Sequence, residues 1–254
     1  MAHLNIALRL CALLLLAGAS NPTVAAPHAG DVQPHGRDGS IGINDTLFVG
    51  DFGDLPGGPF RSTIPGFDVD VDLGPLGAGN WLRYEALGAL SFWNGAAWVA
   101  PVAGETFRID DALASTANPA DDTVINGEGV VARAVGIIGE VATNGGLHEH
   151  LTFGLRSANG TLGGTIGAYL VTLRLLETPA NDDTVLRYSA PYVQVMNRGL
   201  SANDFDTAVA AAPAPVPLPA ALPLMLTGLA LVRGFRRRLA PVYSLVNMTT
   251  EGMA

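Results

Sequence analysis

The chain has 254 residues, with 14 basic residues, all of them arginine, against 23 acidic ones, a net charge of −9. That balance argues against nucleic acid and anionic lipid surfaces as partners. The absence of lysine excludes Schiff-base chemistry and the P-loop mechanism. Residues 1–26 read as a secretory signal peptide, with Arg9 as the positive region, Cys11 to Ala19 as the apolar region and small residues at Val24, Ala25 and Ala26 for cleavage. Pro27 would be awkward for signal peptidase directly after the cut, so the cut could fall a residue or more earlier. Cys11 is the sole cysteine and leaves with this segment, so the mature chain has no disulfide and no thiolate metal ligand.

Residues 27–202 are expected to form one domain, long enough for a real core and too short for two comfortable ones. From Pro27 to Pro215, 22 acidic residues face 9 arginines, a local charge of −13. Helix signals are nearly absent, and Gly, Pro, Asn and Asp interrupt the chain about every ten residues. Ser40 to Val49 suggests a short strand around a turn, and Gly50 to Gly66, rich in glycine and proline, a loop. Phe67 to Leu73 alternates, with Val69, Val71 and Leu73 on one face and Asp68, Asp70 and Asp72 on the other. Leu87 to Val99 carries Phe92, Trp93 and Trp98 around Asn94-Gly95, a hairpin signal. Thr106 to Ile109 is a short strand, Asn118 to Asp122 a loop and Val130 to Ala142 an apolar run. Leu147 to Leu155 and Ala168 to Leu176 are the clearest strands, and Tyr192 to Met196 is the last. Short strands at this spacing predict an all-β fold, an antiparallel β-sandwich of immunoglobulin-like or jelly-roll-like type.

Residues 203–215 read as a linker, acidic at Asn203 to Asp206 and of low complexity from Ala208 to Pro215. No charge occurs between Ala208 and Val232, after which come Arg233 and Arg236-Arg237-Arg238. A helix from near Pro219 to near Phe235 would span roughly 25 Å at about 1.5 Å per residue, the short end of a membrane crossing. The arginines would hold its C-terminal end in the cytoplasm, with everything before it outside.

The order of Val216-Pro-Leu-Pro-Ala220, apolar span and arginine cluster resembles the PEP-CTERM sorting signal of Gram-negative bacteria, in its Val-Pro-Leu-Pro-Ala form, over residues 216–238. The resemblance implies export, recognition by an exosortase and cleavage near Pro-Ala. An uncut C-terminal anchor is the alternative. Such signals usually stop soon after the arginines, whereas Leu239 to Ala254 follow here as a cytoplasmic tail. Such an extension could come from a mispredicted stop codon or could impair processing.

The expected mature chain has four histidines, in two pairs: His28 with His35, and His148 with His150. Residues i and i+2 of a strand share a face, so the imidazoles of His148 and His150 would project together and Glu149 away from them. Two such imidazoles can chelate one transition metal, with further ligands from His28, His35 or Asp31. Zinc suits this donor set, and copper(II) and nickel are chemically compatible. An exposed His-x-His without function is the plainer reading of that motif.

The layout also resembles a small family of zinc-uptake-regulator-repressed PEP-CTERM proteins. The matching pieces are His28 to Asp31, the Gly50-Asp-Phe-Gly-Asp54 loop followed by Pro-Gly-Gly and Pro-Gly-Phe67, Leu90 to Gly95, Leu147 to Phe153, and Gly167-Ala-Tyr-Leu. The resemblance implies a zinc-related role for His28, His148 and His150; where this chain departs from the pattern, His35 could take the place of His28. Ala29 between His28 and Gly30 departs from the compact His-Gly-Asp of that pattern.

Calcium is a second cofactor to weigh, at Asp68, Asp70 and Asp72 or at Asp51 and Asp54. The spacing matches no calcium loop and favours a solvated strand face and a plain turn. Trp81, Trp93 and Trp98 could stack sugars if exposed, although core duty is the safer reading for Trp93 or Trp98. No nucleophile elbow and no catalytic constellation is present. The leading expectation is therefore an exported surface protein that binds zinc without catalysis, for storage, buffering or hand-off. Its partners would be signal peptidase, an exosortase and envelope or extracellular matrix components. The alternatives are a metal-free structural or matrix-associated protein, a zinc-dependent hydrolase and a carbohydrate-binding module.

Overall fold

The computed structural model describes residues 30–56, 58–112 and 122–215. The expected signal peptide, His28, residues 118–121 of the expected loop, the sorting signal and the tail lie outside the described residues. Two units divide the chain, Met1–Pro215 and Val216–Ala254, and only the first contains described residues. Among the described residues no helix is long and apolar enough to cross a membrane.

The described chain is mostly β-strand. In order the strands are β1 His35–Arg37, β2 Ser40–Gly42, β3 Leu47–Asp51, β4 Arg61–Ser62, β5 Phe67–Asp68, β6 Asn80–Trp93, β7 Trp98–Val99 and β8 Thr106–Asp110. There follow β9 Thr123–Asn126, β10 Gly129–Ala132, β11 Val135–Glu140, β12 His148–Glu149, β13 Thr152–Arg156, β14 Gly167–Pro179, β15 Arg187–Tyr188 and β16 Tyr192–Arg198. One helix, α1, covers Ala202–Ala210.

The larger sheet runs β11-β6-β14-β16-β3, with β7 added to β6 and β15 to β14. The smaller runs β10-β9-β8-β13-β4. Every pairing is antiparallel except β16 with β3, which is parallel and departs from the all-antiparallel expectation. One core joins the two sheets. Leu82, Tyr84, Tyr169, Val171, Leu173 and Tyr192 of the larger meet Phe107, Ile109, Ile125, Phe153 and Leu155 of the smaller. The Tyr84 hydroxyl reaches the Thr123 hydroxyl at 2.9 Å, and the Tyr169 hydroxyl donates to Glu105 Oε2 at 3.0 Å.

The inward face of β6 stays constant across an irregularity. Thr172 faces Leu87 whereas Leu170 faces Ser91, so β6 carries two extra residues, one of them Gly88 at φ +71°. A slip of one residue would turn every side chain over; two preserve the face. Leu82, Tyr84, Ala86, Leu90 and Phe92 therefore all remain buried on the core side.

β14 is buried on both faces, which is why it reads as a continuous apolar run. Its outer residues Ala168 and Leu170 pack with Trp93, Val193, Val195 and Ala208 beneath α1. Residues 203–210 of the expected 203–215 linker thus lie in α1, while 211–215 form no regular element. Ser201 caps the helix, accepting from the Asp204 amide at 3.3 Å while its hydroxyl donates to the Asp204 carboxylate at 2.7 Å. Trp98 Nε1 donates to the Ala208 carbonyl at 3.2 Å, tying the helix to the hairpin arm. An alanine-rich stretch looks like low complexity in isolation, but small residues are what a helix needs to lie close on a sheet. The same packing removes the sugar platform: Trp93 is buried and Trp98 half-buried under α1, while Trp81 stacks with Arg83.

The expected hairpin is present, with Phe92 opposite Val99 and Trp93 opposite Trp98, and Asn94 Oδ1 accepts from the Ala96 and Ala97 amides. The strand expected over Phe67 to Leu73 stops at Asp68. Asp70 Oδ1 accepts from the Asp72 and Leu73 amides and turns the chain, leaving Leu73 exposed. Asp68 is buried, so the three aspartates do not share the solvated face expected of them.

At the end of β14 the buried Glu177 accepts from the Gly77 amide and Asn80 Nδ2, both at 2.7 Å, and pairs with Arg187 Nε. Burial works to raise its carboxyl, but the Arg187, Asn80 and Gly77 donors outweigh it and hold the group below the usual carboxylate range. A depressed folded value means stabilisation that is present at neutral pH and lost as pH falls through that value. Glu177→Gln should destabilise the fold by about 2–4 kcal/mol at pH 7, since it strands a half-buried arginine. Urea unfolding at pH 7 and at pH 3 checks this, with the difference between variant and parent shrinking at the lower pH.

Candidate metal centre

Three chain segments distant in sequence meet at one edge of the core. The Val32 amide donates to the Gly66 carbonyl and the Asp68 amide to the Val32 carbonyl, each at 3.0 Å. β5 then pairs with β12, setting Asp68 opposite His148 and Phe67 opposite Glu149. Val32 and Phe67 are completely buried, so the crossing is anchored in apolar packing rather than at the surface. Leu147 and Leu151 are buried too and belong to the main core. The His148-Glu149-His150 segment is thus an arch pinned at both feet, and its histidines rise into solvent.

This crossing brings together Asp31, His148 and His150. One ligand atom from each lies within 4.8 Å of the other two, a group that could hold a metal ion. Asp31 is buried and both histidines are exposed, so the group has a carboxylate floor and an open imidazole rim. Asp31 Oδ1 accepts from the Gly66 amide at 2.7 Å, and its backbone carbonyl accepts from Asn44 Nδ2 at 3.2 Å. The rings of His148 and His150 are 5.1 Å apart, edge to face.

His150 is held from behind. Its Nδ1 lies 2.9 Å from the Thr63 carbonyl oxygen. A carbonyl only accepts, so Nδ1 carries the proton and Nε2 is the nitrogen suited to a metal. Thr63 is itself fixed, because its amide and hydroxyl both donate to Asp54 Oδ2 at 2.8 Å. Asp54 therefore holds a turn, and Asp51 accepts from Asn197 Nδ2 at 2.8 Å. Neither belongs to the metal-capable group.

The ligands expected from sequence divide accordingly. Asp31, His148 and His150 converge, although β12 ends at Glu149 and His150 arrives by the bend of the arch. Glu149 lies against Gly139 of β11, where an added Cβ would come within 2.9 Å of its Cγ. His35 is not in the group: it pairs across the β1-β2 hairpin with Gly42, and its ring covers the space a Cβ there would fill. His28 lies outside the described residues. Asp68, whose Oδ2 is 3.5 Å from His148 Nδ1, was not expected here. Alternation assigned it to solvent, and no local signal marked its pairing with β12.

The donor set fits a small divalent ion. Zinc sits about 2.0–2.2 Å from nitrogen and oxygen ligands, which requires donors about 3.4 Å apart in a tetrahedral shell. The three donor atoms lie within 4.8 Å of one another, so binding such an ion requires the side chains to close on it. Three protein ligands leave a fourth position for water or for a group from another molecule. No family model, curated protein or solved structure matches the chain.

Gly66 is the point of closest approach. A Cβ added there would stand 2.5 Å from Cε1 of His150. Gly66→Ala should swing His150 off Thr63 and out of the group, weakening metal binding at least tenfold, while the fold loses less than about 1 kcal/mol. Cobalt(II) titration followed by visible absorption, beside a thermal melt, tests both parts.

Proposed function

We propose that this is an exported surface protein that binds zinc without catalysis, serving as a store, buffer or donor of the ion outside the cytoplasm. The single observation that carries the zinc reading is the meeting of Asp31, His148 and His150 at one point from segments more than a hundred residues apart. The donors are the types zinc prefers, and one coordination position is open. An exposed three-ligand site exchanges its ion with a partner more readily than a closed four-ligand one. Non-catalytic binding is favoured over hydrolysis because a hydrolase needs a general base beside the metal-bound water. Glu149 stands against β11 instead, and Asp68 lies on the Nδ1 side of His148.

Export and sorting rest on the sequence: the apolar segment before Ala26, the Val216-Pro-Leu-Pro-Ala220 motif, the uncharged span and the arginine cluster. The two sheets would then be an exported β-sandwich, with signal peptidase and an exosortase as its processing partners and the outer surface or extracellular matrix as its destination.

Zinc calorimetry on the purified protein should give one ion per chain at micromolar affinity or tighter. His148→Ala and His150→Ala should each weaken it tenfold or more. Unchanged affinity in both variants would remove the arch from the site, and absence of binding in the parent would remove zinc from the function.

A further inference from the structure

Asp68 is 5% exposed and lies in the short ribbon that builds the metal centre. Its amide is committed to the Val32 carbonyl at 3.0 Å, so its backbone position is fixed. Its Oδ2 is buried and has no hydrogen-bond partner among the described residues. A buried carboxylate oxygen without a donor is costly, because the water it lost is not replaced. A donor stands nearby. His148 Nδ1 is 3.5 Å from that oxygen, in register across the β5-β12 pair. That distance exceeds a good hydrogen bond, and a small turn of the exposed ring closes it.

We propose that Asp68 is the positioning residue of this centre: its buried carboxylate holds His148 as the Nδ1–H tautomer and so presents Nε2 to the metal. The inference rests on the zinc reading for its purpose, but its physical content is a property of the metal-free protein. It also makes the two histidines equivalent in design. His150 has its Nδ1–H fixed by the Thr63 carbonyl and His148 has its own fixed by Asp68, so both rings offer the same nitrogen. A carboxylate behind the ring increases the basicity of the ligating nitrogen, where a carbonyl mainly orients it.

The test uses the full chain in mild detergent, with ring-15N histidine and no metal, at pH 8.5 where imidazole is neutral. His148→Gln assigns the resonance. A protonated Nδ1 and a bare Nε2 on His148 are expected, the minority tautomer of a free histidine side chain; a protonated Nε2 would overturn the proposal. Zinc titration of Asp68→Asn, which keeps shape and removes charge, should show affinity about 10–100-fold below the parent with one ion still bound. Parental affinity in Asp68→Asn would overturn the positioning role and leave the zinc site standing. No zinc binding by the parent would overturn the zinc reading instead, and the tautomer would still decide the role of Asp68. If Asp68→Asn does not fold, the parental tautomer decides alone.

Discussion

The ladder between β6 and β14 is the contact on which the rest of the structure depends. It runs from Ala168 opposite Trp93 to Pro179 opposite Asn80, and both strands lie in the interior of the larger sheet. Its inner face supplies a third of the buried residues of the main core; its outer face supplies the surface on which α1 lies. Because the irregularity at Gly88 adds two residues and not one, neither face is interrupted. A single extra residue would have turned Leu90 and Phe92 out and opened the core to water. The Glu177 network closes the far end of the same ladder, holding the approach of residues 77–80 and the β15 segment to it.

The metal centre depends on a smaller version of the same logic. Its side chains are polar and two of them are exposed, yet the backbone beneath is fixed by buried apolar residues. Val32, Phe67, Leu147 and Leu151 anchor the three crossing segments in the main core. Glycine at position 66 lets the His150 ring lie on the backbone, and its amide orients Asp31. Support of this kind limits how far the backbone of the candidate site can move. The hydrogen bonds behind the ligands, from Asp54 through Thr63 to His150, extend the support outward from the group.

Much of this was legible in the residues. Strong alternation or long apolar runs located β8, β14 and β16, and Asn94-Gly95 located the β6-β7 hairpin. The paired histidines of the arch and Asp31 were readable as candidate ligands from chemistry alone, though not that they would meet. What failed did so for a common reason, that local pattern is silent about long-range partners. Phe67 to Leu73 alternates like a strand, but only Phe67 and Asp68 have a neighbour to pair with, and Asp70 ends the run by capping a turn. Leu147 to Leu155 divides in two because its first part pairs with β5 and its second with β8 and β4. The alanines after Asn203 become a helix only because the outer face of β14 is there to receive Ala208.

The sequence by itself therefore determined the all-β character, the position of most long strands, the acidic charge and the inventory of metal-binding groups, since each of these follows from residue type and short-range periodicity. Only the tertiary structure decided which of those groups meet. His35 turns to the β1-β2 hairpin while Asp31, four residues earlier, is drawn into the centre by the amide of Gly66. Asp68 moves from an expected solvent face to a buried place behind His148. Those outcomes depend on pairing between segments dozens of residues apart, and such pairing is selected by burial of the whole core rather than by any one segment's preference.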